Sequence, residues 1–275
     1  MKMEWLKTVL KGLWVGSTMT VPGVSGGTMA VVVGVYEDLI HAINGLKDNL
    51  KENIGFLLRF VSGAGLGFLI FARIVTLLLE HEVAGPLTRL LFCGVVLGGI
   101  PLLVRKSCIR KIGYRHVLCL FAGAFVVFQL AMLPQGLFRN GEGLMFWIVQ
   151  FIAGVIVAIA LILPGISVTH ILYIMGIYEM VLQKVYALEL LSLLPLASGV
   201  FVGTFMTTNL LEKGLEKYPE AVYMAIIGFV AASMFSLIPR YPIRMPILGA
   251  LIAAGGFVGM YMVTKKVQVR DEMRE

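Results

Sequence analysis

The chain has 275 residues, 59% of them hydrophobic and 14% charged, and a mean hydropathy of +0.90. Soluble globular chains carry about 25% charged residues, and here the deficit runs along the whole length, which excludes a soluble domain with one anchor. The net charge of +7 comes without a basic run interleaved with aromatics, so it reports membrane orientation rather than nucleic-acid binding.

Residues 1–16 place lysines ahead of apolar residues, as a signal peptide would, but Lys7 and Lys11 interrupt the run and no small-residue cleavage site follows. A retained amphipathic helix is predicted there. Apolar segments then fall at about 8–21, 28–45, 54–79, 86–104 and 116–133, followed by about 144–163, 168–187, 190–211, 220–238 and 246–264. Gly, Pro, Asn and charged residues separate them. Hydrocarbon leaves unpaired backbone groups unsatisfied, so such runs must be helices or a closed barrel. Their length of about 20 residues, without alternation, selects helices. The predicted fold is an all-α polytopic membrane helical bundle of ten segments. Cys93, Cys108 and Cys119 lack the spacing of a disulfide framework or a zinc site, and no cofactor is predicted.

The ten segments divide into two repeats, residues 1–134 and 144–264, with a tail at 265–275. Pro22–Ile43 reads PGVSGGTMAVVVGVYEDLIHAI and Pro164–Val185 reads PGISVTHILYIMGIYEMVLQKV. At an offset of 142, Pro22, Gly23, Ser25, Gly34, Tyr36 and Glu37 meet identical residues at Pro164, Gly165, Ser167, Gly176, Tyr178 and Glu179. Gly63 and Gly67 match Gly199 and Gly203. Placing the loop 105–115 in the cytoplasm collects sixteen Lys and Arg on that side, with both termini. The other side receives four: Arg139, Lys184, Arg240 and Arg244. Such a bias follows the positive-inside rule. Three full crossings follow the first two segments of each half, so the second repeat starts on the opposite side. Inverted-topology repeats are a recurrent build of secondary transporters, which hold substrate near the midplane at interrupted helices.

Pro22-Gly23-Val24-Ser25-Gly26-Gly27-Thr28 interrupts an apolar stretch and opens a helix. Proline ends the preceding helix, and Ser25 or Thr28 can cap the next. The free N–H groups at that helix start form an anion site. Pro164-Gly165-Ile166-Ser167-Val168-Thr169-His170 repeats the arrangement. The plain alternative is a helix-breaking kink satisfied by neighbouring helices. Tyr36-Glu37 and Tyr178-Glu179 lie about ten residues further on. If the hairpins are re-entrant, these pairs reach the interfaces, as belt tyrosines and solvated carboxylates. If the segments cross fully, Glu37 and Glu179 are intramembrane proton-relay candidates. Arg73 is the cation deepest within a predicted span, either snorkelling or serving a phosphate. His170 is a lone imidazole with no second ligand nearby, which argues against a metal. Gly94/Gly98 and Gly255/Gly259 have the small-xxx-small spacing of close helix packing. Walker A, dinucleotide and H-E-x-x-H motifs are absent, as is a His-Arg phosphatase constellation.

At PGVSGGT with GVYE, and PGIS with GIYE, the chain resembles the bacterial polyprenyl-phosphate transporters over nearly its whole length. Two positions depart from the family pattern: Met19 stands where many relatives carry Asp, and Val168-Thr169 where many carry Gly-Ser. The resemblance implies a non-enzymatic flippase of the bacterial cytoplasmic membrane. It would return undecaprenyl phosphate from the outer to the cytoplasmic leaflet for re-use in cell-envelope synthesis, coupled to protons or another ion. The expected head-group site comprises Pro22, Gly23, Ser25, Gly26, Gly27, Thr28, Pro164, Gly165, Ser167, Thr169 and His170, with Arg73 as an accessory cation and Glu37 or Glu179 as coupling groups. The competing readings are an ion-coupled carrier of a small soluble anion and, more distantly, an integral membrane lipid phosphatase.

Overall fold

A computed structural model of the protein describes residues 2–19, 24–107, 109, 111–132, 143–187, 189–238 and 245–272. Pro22 and Gly23 lie outside the described residues, as do Arg139, Arg240 and Arg244, and so do the side chains of Thr169 and His170. The described residues are helical, without strands: α1 (Lys2–Thr18), α2 (Gly26–Val32), α3 (Tyr36–Asn44), α4 (Leu50–Glu80), α5 (Ala84–Lys106) and α6 (Tyr114–Met132) come first. Next come α7 (Gly143–Ile162), α8 (Val168–Met175), α9 (Tyr178–Tyr186), α10 (Leu194–Lys217), α11 (Pro219–Ser233) and α12 (Pro246–Glu272). Among the described residues four stretches are long and apolar enough to cross a membrane: Leu50–Glu80, Ala84–Lys106, Leu191–Lys217 and Pro246–Lys265.

Twelve helices stand where ten segments are predicted, because the segments at about 28–45 and 168–187 each break in two. Gly34 and Gly176 adopt φ of 65° and 74°, a left-handed conformation that glycine enters without steric cost. The Gly34 and Val35 N–H groups donate to the carbonyls of Val31 and Ala30, and those of Gly176 and Ile177 to Tyr173 and Leu172. This is the same Schellman closure at positions 142 apart. It ends α2 after seven residues and turns the chain by 112° into α3. At 1.5 Å per residue α2 rises only about 10 Å, too short to cross about 30 Å of hydrocarbon.

Glycines bring the long helices into backbone contact. A Cβ on Gly63 or Gly67 of α4 would fall 2.2 Å from the Val9 carbonyl oxygen or 2.1 Å from that of Leu13 in α1. The contacts advance together along both helices, so α1 and α4 run parallel. In the same way Gly199 and Gly203 of α10 press on Phe151 and Val155 of α7, again in parallel. Gly94 and Gly98 of α5 press on Ala253 and Phe257 of α12, and Gly228 of α11 on Leu120 of α6. The expectation for Gly255 and Gly259 is corrected, since nothing lies within 4 Å of a Cβ built on either. Gly256 makes the approach instead, facing Leu91. Spacing alone does not say which helix face a partner covers.

One end of the bundle, called here the near end, gathers α3, the start of α4 and the ends of α5 and α10. There Lys106 pairs with Glu37 at 3.0 Å, and His116 of α6 with Glu220 of α11 at 2.7 Å. The parallel pairings place the start of α1 at this end and the start of α7 at the other.

Candidate functional site

The two broken segments meet. Ser25 caps α2 from extended backbone (φ −89°, ψ 146°), and its Oγ accepts the Thr28 N–H at 3.0 Å. The two hydroxyl oxygens lie 2.8 Å apart. Gly165, 140 residues away, donates its N–H to both, at 2.9 Å to Ser25 Oγ and 2.8 Å to Thr28 Oγ1. Ser25 and Thr28 are 7% and 1% exposed. Gly165 holds φ of +86°, and a Cβ there would fall 2.4 Å from the Phe229 carbonyl oxygen. Across the junction, a Cβ on Gly27 would come within 3.3 Å of Pro164. Gly165 must therefore be glycine, whereas a Cβ on Gly27 would be tight and would need its neighbours to shift by only a few tenths of an ångström.

Tyr36 seals the arrangement. Its hydroxyl, from the start of α3, donates to the Ile162 carbonyl at 2.9 Å. That carbonyl belongs to the last residue of α7 and has no intrahelical donor. Tyr36 is therefore buried, not the belt residue of the re-entrant expectation, even though its hairpin is short. The tyrosine at the matching place, Tyr178, stacks on Tyr173 with centroids 4.2 Å apart. Identical sequence signatures have taken different roles.

Counting protons shows what the junction offers. Ser25 and Thr28 own two hydroxyl protons between them, and one lies in their mutual contact. The other remains available to an oxygen acceptor. The Gly26 and Gly27 N–H groups open α2, where no intrahelical acceptor exists, and Gly26 stands at the edge of the burial under the Met19 side chain. The junction thus gathers hydroxyls and helix-start amides with no carboxylate in their described contacts, a chemistry that suits an anion.

The other expected residues are spread more widely. Ser167 is partly buried, and its carbonyl accepts the Ile171 N–H as α8 begins. Arg73 is exposed on α4 among exposed Ile70, Ile74 and Leu77, and among the described residues no hydrogen bond joins it to the junction. Glu37 is paired with Lys106 at the near end, and Glu179 is exposed on α9. Sequence reasoning missed a second polar cluster. His41 Nδ1 lies 2.6 Å from Glu212 Oε1, Asn44 Nδ2 donates to Glu212 Oε2 at 2.6 Å, and Thr208 Oγ1 donates to Asn44 Oδ1 at 2.6 Å. The available signal was helical spacing: 41 and 44 share one face of α3, and 208 and 212 one face of α10. Beside this cluster a cleft of about 220 Å³ is lined by Glu37, Glu212 and Glu216 together with Ile40, Leu215 and Tyr223. Its carboxylates make it a poor place for a phosphate.

The comparisons with known proteins agree with one another. Residues 15–245 match the family model described as VCA0040-like, undecaprenyl phosphate translocase-like. The chain belongs to this family. Among its relatives, the polyprenyl-phosphate transporter of Vibrio cholerae serotype O1 is 30% identical over 253 residues, covering 86% of this chain and 79% of the relative. The polyprenyl-phosphate transporter of Staphylococcus aureus strain NCTC 8325 is 28% identical over 254 residues, with 88% of each chain covered. No solved structure matches. In this member of the undecaprenyl phosphate translocase-like family, the segment 15–245 includes both glycine-containing breaks and the junction between them.

Proposed function

We propose that the protein is a carrier, not an enzyme, that moves polyprenyl phosphate from the outer to the cytoplasmic leaflet of a bacterial cytoplasmic membrane. The observation that carries the reading is the buried contact of Gly165 N–H with the Ser25 and Thr28 hydroxyls, in a family whose curated relatives bear that transporter name. A phosphate monoester cannot cross hydrocarbon unaided, whereas its prenyl tail can stay in lipid. In this reading the junction is the resting state, closed on itself. A head group enters between the loops, its oxygens replacing the hydroxyls as acceptors for Gly165 N–H and receiving the protons of Ser25, Thr28 and the first amides of α2. Arg73, on the outer surface of α4, attracts the head group along the bilayer.

The near end carries Lys47, Lys51, Lys106, Lys213 and Lys217, and the positive-inside rule assigns it to the cytoplasm. Under that assignment the units 1–134 and 144–264 are inverted repeats, each bringing one broken helix to mid-depth from its own side. Glu37 and Glu179, just after the two Schellman turns, stand nearer the interfaces than mid-depth, and their candidacy as proton-coupling groups rests on the family resemblance alone. The test uses purified protein in liposomes containing a fluorescent polyprenyl phosphate and an impermeant quencher outside. Transbilayer exchange several-fold above protein-free liposomes is expected, and its loss in Ser25→Ala/Thr28→Val. Exchange at the protein-free rate would refute the proposal. Uptake of labelled inorganic phosphate in the same liposomes, or release of phosphate from the lipid, would instead select the soluble-anion carrier or the phosphatase.

A further inference from the structure

We propose that α3 is a gate over the near end and that Asn44, Thr208 and Glu212, with His41, form the latch that holds it shut. This deepens the carrier reading by naming the element that moves. The helix is short and amphipathic, set at 112° to α2. It is tied along its length. At its start Tyr36 binds the Ile162 carbonyl and Glu37 pairs with Lys106. In its second half His41 and the terminal Asn44 grip both oxygens of Glu212, while Thr208 holds Asn44. Just beyond its end Asn53 donates to the Gly45 carbonyl at 2.6 Å. Opening α3 would break several side-chain bonds but no helical ladder, the property of a hinged element as opposed to a core helix.

Among the described residues the latch is present once. The offset of 142 puts Gln183 and Tyr186 where α3 has His41 and Asn44. The offset of 136 that relates Gly63 to Gly199 puts Ala72 and Thr76 where α10 has Thr208 and Glu212. No carboxylate stands at the matching place, and the ion pair beside α9 is local, between Lys184 and Glu189. One end is clamped across to the other half of the chain and the other end lacks that clamp. The structure is thus a conformer closed at the near end, and the two hairpins differ in what it takes to move them. The clamp joins α3, which follows the first break, to α10, which follows the second. Its release frees the first hairpin to carry Ser25 and Thr28 away from Gly165.

Two measurements test this. Ala30, buried on α2, is replaced by Cys in a background carrying Cys93→Ala, Cys108→Ser and Cys119→Ala, and probed with an impermeant maleimide in vesicles of both orientations. Glu212→Ala, or Asn44→Ala/Thr208→Ala, should raise labelling from the near face several-fold and leave labelling from the far face unchanged. Unchanged near-face labelling in both variants would overturn the latch. Second, Asn44→Cys/Thr208→Cys is closed with a short thiol cross-linker, which itself requires the folded arrangement. The cross-linked protein should lose polyprenyl-phosphate exchange in liposomes, and the same variant without linker should retain it. Full exchange through cross-linked protein would also overturn the gate. If neither form moves the lipid while Ala30→Cys labelling still rises with Glu212→Ala, the gate stands and the substrate assignment fails.

Discussion

Tyr36→Phe and Tyr178→Phe remove the same atom from the same sequence context, GVYE and GIYE, and are expected to differ in cost. Phe keeps the ring, so neither change opens a cavity. At position 36 the lost hydroxyl is the donor to the Ile162 carbonyl, 2.9 Å away and buried. That carbonyl ends α7 and has no helical partner. An orphaned buried acceptor costs about 1–3 kcal/mol, roughly 5- to 150-fold in the unfolding equilibrium. At position 178 the ring stack on Tyr173 survives, and the residue is partly exposed, so water replaces the lost hydroxyl and the cost is under about 0.5 kcal/mol. Equilibrium unfolding of each variant in mixed detergent and dodecyl sulfate micelles reads the difference directly. Equal costs at the two positions, or a change below about 0.5 kcal/mol for Tyr36→Phe, would refute the argument that this tyrosine seals the junction.

Gly165→Ala combines a φ of +86° with a Cβ 2.4 Å from a backbone oxygen. It should abolish the monodisperse folded fraction on gel filtration, while Gly255→Ala, with nothing within 4 Å, should match the parent. Ser25→Ala/Thr28→Val should lower polyprenyl-phosphate exchange in liposomes by about 10- to 150-fold, the loss of the one hydroxyl hydrogen bond available to a charged head group at about 1.5–3 kcal/mol. Glu37→Gln breaks only a partly exposed pair with Lys106 and should change stability by at most about 1 kcal/mol. If Glu37 couples protons, the same variant flattens the pH dependence of exchange, and an unaltered profile removes Glu37 from that role. Gly94→Leu forces α5 off Ala253 and should block folding, read as loss of the membrane-extracted monomer.

The long spans and the two breaks were legible because each has a local cause. Hydropathy marks α4, α5, α10 and α12, and the clustered proline, glycine and serine of PGVSGGT and PGIS weaken a helix locally. Gly34 and Gly176 were visible as repeated residues but not as Schellman turns, since a glycine inside an apolar run fits a continuous helix equally well. What the sequence withheld was tertiary. No local pattern says that Gly165 will donate to Ser25 and Thr28, because nothing near either motif records its partner 140 residues away. Tyr36 looked like an interfacial tyrosine for the same reason. Arg73 was placed by depth along a helix, but burial depends on the neighbours of that helix, and α4 leaves this face uncovered. His41, Asn44, Thr208 and Glu212 carry ordinary surface chemistry, and only the crossing of α3 over α10 turns them into a network.

The partnering of the glycine-faced helices bears on how the molecule is made. α5 leaves the ribosome early, yet the surface it needs is carried by α12, the last helix described, and α6 must likewise wait for α11. Throughout synthesis the bare ridge around Gly94 and Gly98 therefore stands open to lipid or to whatever insertion machinery shelters it. Assembly is completed by late docking of the two units rather than by adding one finished half to another. Truncation ahead of residue 246 would strand α5 without its mate, so nascent chains halted there should be targets for membrane quality control.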